Sequence, residues 1–447
     1  MNLPKAHIDS VKKFLGEEYS AWENSFSAEP PVSIRVNTSK WKSNYPGTRI
    51  PWSETGYYLP QRPSFTKDPF FHAGYYYVQE ASSMGIEQAM NQLIDLSKNI
   101  KVLDLCAAPG GKSTHLLSLI TENSLLVSNE VIRSRANILH ENLVKWGRDN
   151  FIVTNNDPEH IGEVTEFFDV MLADVPCSGE GLFRRDHDAM KEWSTAAVEL
   201  CSLRQRRIIL DAWSALKENG YLIYSTCTFN EEENEKNILW LKEKIQFESV
   251  QLQFPADWGI LETENKGIHA YRFFPHRLKG EGFFMTVLQK KERSPSKPMK
   301  LKPTLVATNN REKDQVKNYV NDPSLFDFFT ADGLITLFRK TISADMQTIY
   351  RRLNCGSTGL AIAEMQKGLK PVHELAMSVH LNRKNFSEAA LTKEEAINYL
   401  AKEEVKLTGE KTGMTLATYN GAPLGWLNAL GNRANNLYPK EWRIRHK

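Results

Sequence analysis

Residues 101–114 read KVLDLCAAPGGKST, and their interpretation settles the fold. Lys101 to Cys106 carries aliphatic residues in a run too short for a helix and predicts a strand. Small residues and two glycines follow, and "GKSTHLLSLI" from Gly111 has the composition of a helix. A strand that leaves through glycines into a helix brings backbone amides and the helix N-terminus close to a ligand. The same alternation continues outward. "LLVSNE" (125–130) predicts a second strand, "RSRANILHENLVKWG" (133–147) a helix, "FIVTNND" (151–157) a third strand and "FDVMLADV" (168–175) a fourth. "AAVELCSLRQRRIILDAWSALKENG" (196–220) predicts a long helix stopped by Gly220, "YLIYSTC" (221–227) a fifth strand, and "GFFMTVLQKK" (282–291) a last one. This order predicts an α/β fold, a parallel sheet with helices on both faces and ligands at the carboxyl ends of its strands.

The loop after the first strand is not a triphosphate loop. Gly111, Lys112 and Ser113 match the end of that motif, but the glycine it needs five residues earlier is Cys106. Glu130 ends the second strand, nineteen residues after Gly111, where an acid accepts hydrogen bonds from ribose hydroxyls. Asp157 ends the third strand and Asp174 the fourth. Acids at successive strand ends repel a pyrophosphate and suit a cationic adenosine-type ligand, so S-adenosylmethionine fits better than NAD.

The 447 residues imply several domains, and 41% hydrophobic with 25% charged residues is an ordinary folded balance. Residues 1–95, rich in aromatics and proline, read as an N-terminal accessory, RNA-binding lobe, and 96–292 as the catalytic domain. Residues 293–305 read as a basic, proline-rich linker, 306–385 as a small domain and 386–447 as a terminal RNA-binding domain; removing 306–447 is expected to leave the cofactor site folded. The wider stretch Lys290 to Pro303 holds six basic residues and one acid, and the tail "PKEWRIRHK" embeds Trp442 among basic residues, a pattern that suits a nucleic acid backbone with stackable bases. The net charge of +2 says little by itself. Neither a signal peptide nor a long apolar span stands out, so a cytoplasmic location without membrane attachment is expected. The five cysteines form no CxxC pair, so no metal is expected; the absence of heptads points to a monomer.

Two of those cysteines lie at the ends of adjacent predicted strands: Cys177 in "DVPCSGEG" after the fourth and Cys227 in "YSTCT" at the fifth. Carbon 5 of cytosine is too weak a nucleophile to take a methyl group unaided. A thiolate must first add at carbon 6, and a base must later remove the carbon 5 proton, so two thiols match the division of labour. Asp174 can bond the exocyclic amine and ring nitrogen of a flipped-out cytosine.

Cys106 to Lys112 ("CAAPGGK"), Asp174 to Gly181 and Ser225 to Thr228 ("STCT") resemble the RNA (cytosine-5)-methyltransferases of the NOL1/NOP2/Sun family, as do "RVN" at Arg35 to Asn37, "YVQEASS" at Tyr77 to Ser83 and "RFFPH" at Arg272 to His276. The resemblance implies a Rossmann-like S-adenosylmethionine-dependent methyltransferase sheet. It implies Cys227 as the nucleophile and Cys177 as the thiol that helps release the product, with Asp174 and Lys112 also at the target base. It places Cys106, Ala107, Ala108, Pro109, Gly110, Gly111, Lys112, Glu130, Asp157 and Asp174 around the cofactor. The tail "YNGAPLGWLNALGNRANNLYPKEWRIR" resembles an RsmF-like bacterial branch that acts on small-subunit (16S) ribosomal RNA and carries a PUA-like RNA-binding domain. A tRNA substrate, DNA cytosine methylation and a noncatalytic ribosome-assembly role are the competing readings; in a DNA enzyme Cys227 has no task.

Overall fold

The computed structural model of the chain describes residues 4–42, 45–295, 301–366 and 368–445. An N-terminal helix, Lys5–Leu15, leads into a four-stranded antiparallel sheet made of β1 (Val32–Val36), β2 (Thr48–Arg49), β3 (Gly56–Leu59) and β4 (Tyr76–Val78), in the order β2-β3-β1-β4. The predicted parallel sheet follows: β5 (Lys101–Asp104), β6 (Leu125–Asn129), β7 (Phe151–Thr154), β8 (Phe168–Asp174) and β9 (Leu216–Thr226), ordered β9-β8-β5-β6-β7. Leu103, Leu126, Val127, Ile152 and Leu172 are wholly inaccessible. Burial on both faces is why these strands read as continuous aliphatic runs. From β5 the chain winds through β6 and β7 on one side and returns through β8 and β9 on the other, so the order reverses between β5 and β8. Such a reversal opens a crevice at the carboxyl ends of the two strands.

β10 (Phe247–Ser249), β11 (Leu261–Asn265), β12 (Ile268–Phe273) and β13 (Phe283–Lys290) extend the sheet antiparallel beyond β9. The long helix predicted to reach Gly220 is shorter. It runs Thr195–Ala212, and β9 begins at Leu216. The carbonyls of Ser214 and Ala215 accept from the amides of Glu166 and Phe167, which draws the segment onto the β8 edge before the helix can continue. Asn219, at φ +63, lies within the resulting register shift.

A five-stranded sheet comes next: β14 (Val306–Ala307), β15 (Phe326–Ala331), β16 (Leu334–Arg339), β18 (Leu360–Gln366) and β19 (Gly368–Pro371). Between them β17 (Cys355–Thr358) leaves that sheet and pairs antiparallel with β7, so this region completes the edge of the catalytic sheet. Asp149, fully buried, is held by Arg339 at 3.0 and 3.1 Å and by His380 at 2.9 Å. The expectation that the cofactor site stays folded when residues 306–447 are removed is therefore corrected: the cut would strip an edge strand and leave a buried carboxylate without Arg339 and His380. The chain ends in β20 (Ser387–Ala390), β21 (Val405–Tyr419) and β22 (Ala422–Asn436).

The basic stretch also divides. Lys290 is wholly buried and donates to the carbonyls of Trp213 and Leu216 while pairing with Glu166, so it belongs to the core rather than to a linker. Residues 296–300 of the predicted linker and 446–447 of the basic tail lie outside the described residues. Trp442 turns inward, edge-on to His373 at 4.9 Å. No helix among the described residues is long and apolar enough to cross a membrane.

Candidate active site

The loop after β5 takes its shape from glycine. Gly110 has φ +113, the left-handed region that favours glycine, and caps the helix Gly111–Leu119. A Cβ on Gly111 would stand 3.1 Å from the Tyr77 ring, so the N-terminal sheet closes tightly over the loop. Arg35 fixes that closure. It is fully buried, donates to Gln79, Thr114 and Ser118, and stacks 4.4 Å from the Trp146 ring. The residues of the "RVN" signature thus dock the lobe; Asn37 likewise bonds the carbonyls of Gly74 and Trp146.

A cavity of about 220 Å³ lies in the β5–β8 crevice. Asp104, Cys106, Ala107, Ala108, Pro109, Gly111, Lys112 and Asp174 line it from the sheet, and Tyr77, Gln79 and Glu80 from the lobe. Asp104 was not among the residues expected: the strand predicted over 101–106 carries it in its interior, whereas β5 ends at Asp104. Its Oδ2 accepts from Ser113 at 2.6 Å, whereas Oδ1 is buried without a hydrogen-bond partner among the described residues. Burial raises its pKa to about 7. A buried carboxylate oxygen without a partner suits a ligand that brings its own cation and donors, and S-adenosylmethionine carries both.

The predicted acids separate. Asp174, the last residue of β8, accepts from Lys112 at 2.7 Å and from Ser225 at 2.8 Å. Burial opposes the Lys112 charge, yet Asp174 holds its pKa above the ordinary lysine value. Glu130 follows β6, is 3% exposed, and accepts from the Ile132 amide with Arg135 3.5 Å away. Asp157, like Glu130 and Gly110, is not among the residues that line this cavity. The turn Asn155–Asp157 carries it past the strand end, where it caps the helix Pro158–Gly162 and pairs with Arg207 at 3.1 Å.

The two thiols do meet. Cys177 Sγ and Cys227 Sγ are 3.2 Å apart. Their hydrogen bond, followed by burial, raises Cys177 well above the usual thiol value. Two glutamates that sequence reasoning missed hold the loops in this register. Glu180 takes the amides of Phe229 and Asn230 at 2.7 and 3.0 Å, the Trp193 indole N–H at 3.0 Å, and His7 at 3.4 Å. Burial would raise Glu180, but His7 and Asn230 bring it to about 2. Glu233 takes the Ser178 amide, the Gln205 amide group and the Asn230 amide group at 2.9, 2.9 and 2.8 Å. Gly181 donates to the Cys227 carbonyl at 2.8 Å, and a Cβ there would lie 2.9 Å from that oxygen, which forbids a side chain.

Comparison with known proteins agrees with this geometry. Residues 91–289 match the family described as 16S rRNA methyltransferase RsmB/F, 3–81 the N-terminal domain of 16S rRNA methyltransferase RsmF, and 386–444 the methyltransferase RsmF PUA domain. Ribosomal RNA small subunit methyltransferase F of Shewanella loihica is 31% identical over 99% of this chain and 95% of its own. The protein of the same name from Escherichia coli K12 is 31% identical over 98% and 96%. A solved methyltransferase homolog from Pyrococcus horikoshii, 29% identical, aligns with a TM-score of 0.51 over 64% of this chain and 100% of that one. NSun6 from the same organism shares the fold, with a TM-score of 0.53 over 65% and 98% at 20% identity. Nearly full-length likeness and three successive domain matches place this chain, with its crevice at the strand reversal, in the small-subunit ribosomal RNA methyltransferase F family, whose cofactor is S-adenosylmethionine.

Proposed function

We propose that the chain methylates carbon 5 of cytosine in 16S ribosomal RNA through a covalent bond between Cys227 and the base. The observation that carries this reading is the thiol pair at 3.2 Å, one strand from the Lys112–Asp174 ion pair. When bound, S-adenosylmethionine supplies the methyl group. The loop from Cys106 to Lys112, Asp104, Glu130 and Asp174 are proposed to hold it, with the ammonium group opposite Asp104 Oδ1.

The thiols then have distinct tasks. Lys112 places its positive charge where it interacts electrostatically with Cys227. The Cys227 sulfur bonds carbon 6, and the displaced π electrons make carbon 5 nucleophilic. Asp174 and Lys112 bond the polar edge of the base and steady the charge that the addition moves onto the ring. Once its sulfur is bonded to carbon, Cys227 no longer holds the Cys177 proton in place. Cys177 then gives its own proton to water and, as a thiolate, takes the carbon 5 proton; the electrons of that C–H bond restore the 5,6 double bond and expel Cys227 as a thiolate. The family match at residues 386–444 supports the terminal sheet as an RNA-binding element, and five unpaired cysteines suit a reducing cytoplasm.

The test is nucleoside analysis. The chain is incubated with labelled S-adenosylmethionine and either ribosomal RNA, tRNA or DNA, and the polymer is digested. Label in 5-methylcytidine from ribosomal RNA is expected; label in another nucleoside or in DNA would overturn the reading.

A further inference from the structure

We infer that a basic groove at the seam between the N-terminal lobe and the catalytic domain binds the phosphodiester strand flanking the target cytosine. The inference rests on the RNA methyltransferase reading above. A hollow of about 640 Å³ is bounded by Pro30, Pro60 and Arg62 on the lobe side and by Arg184, Arg185 and Lys279 on the catalytic side. One carboxylate, Glu29, lines it against four cations.

The cations are differently held, and that difference argues for a ligand. Arg184 is hydrogen-bonded by carbonyls rather than carboxylates: it donates to the carbonyls of Ser25 at 3.2 Å and Gly280 at 3.1 Å, Glu80 and Glu281 act on it only through their charge, and its buried Nε has no hydrogen-bond partner among the described residues. Arg185 is paired with Glu281. Arg62 and Lys279 are exposed and have no ion-pair partner among the described residues. Lys279 is nonetheless placed, its ammonium 4.6 Å over the Tyr58 ring while the Tyr58 hydroxyl donates to its carbonyl at 2.6 Å. Prolines give the walls rigid apolar faces. Cations spaced along such faces match a single strand, whose phosphates and bases alternate. The position fits the chemistry too. Arg184 lies three residues beyond Gly181, which is bonded to the Cys227 carbonyl, so groove and thiols share one loop.

The experiment compares the full chain with the double variant Arg62→Ala, Lys279→Ala, two rim residues outside the cofactor cavity. Fluorescence anisotropy measures binding of a single-stranded ribosomal RNA fragment over a series of salt concentrations, calorimetry measures S-adenosylmethionine affinity, and initial rates give KM and kcat. The expected result is RNA affinity about tenfold weaker and a log–log salt slope shallower by about 1.4, or about 0.7 for each of two phosphates. KM for RNA should rise while kcat and cofactor affinity hold, which shows that the variant is folded. Unchanged RNA affinity and slope would overturn the groove, as would an equal loss of affinity for a free mononucleotide, which would make it a small-anion site. If the double variant loses RNA affinity but the unmodified chain makes no 5-methylcytidine, the groove stands and the function proposal falls.

Discussion

Buried carboxylates stand at both ends of the active-site crevice, and they are satisfied to opposite degrees. Beside the thiols, Glu180 and Glu233 accept from backbone amides and side-chain donors at every oxygen. In the cofactor cavity, Asp104 uses one oxygen and leaves the other buried without a partner. The difference separates scaffold from binding site. A saturated acid specifies where loops lie, because each donor it serves would cost about 1 to 3 kcal/mol if orphaned. Burial raises Asp104 to about 7, and its unpartnered oxygen leaves room for a ligand to supply the compensating charge.

Substitution at the saturated end should have the larger effect. Glu233→Gln turns one acceptor oxygen into a donor facing other donors, so a stability loss of about 2 to 4 kcal/mol is expected in denaturant unfolding, with methylation reduced by about 100-fold or more. A variant that unfolds normally and methylates normally would show that the thiol loops need no such clamp.

Asp104→Asn should behave in the opposite way. Because the folded pKa is raised, the contribution of Asp104 to stability is fully present below about 4 and is lost as pH rises through about 7. The unmodified chain is therefore expected to lose stability between about pH 4 and 7, and the asparagine variant to have a flatter profile. Cofactor affinity should show the reverse sign, strengthening in the unmodified chain as Asp104 ionises; at pH 8 the variant should bind about tenfold more weakly. Calorimetry across that range checks both, and an unaltered affinity would remove Asp104 from the cofactor site.

This contrast also marks what the sequence made legible. The sheet from β5 to β9 and the cofactor loop were readable because strand, glycine turn and helix are consecutive. Both thiols were readable because each follows closely on the end of a strand, Cys177 after β8 and Cys227 after β9. Glu180 and Glu233 were not, since their partners are distant in sequence: Glu233 serves Ser178 across 55 residues. In "EEENE" it looks like part of a solvated acidic run. β17 was missed because "CGST" is short and polar, and its pairing with β7 depends on tertiary docking. Asp157, also read from its strand end, caps the helix Pro158–Gly162, a task that the sequence reading did not assign to it.

The central claim is that the thiols divide one reaction between them. It is tested most directly by incubating Cys177→Ala and Cys227→Ala with S-adenosylmethionine and ribosomal RNA and running both on one denaturing gel. Cys177→Ala is predicted to accumulate a protein–RNA adduct that disappears on nuclease treatment, and Cys227→Ala to form none. An adduct confined to Cys227→Ala would reverse the roles, and no adduct in either variant would contradict covalent catalysis.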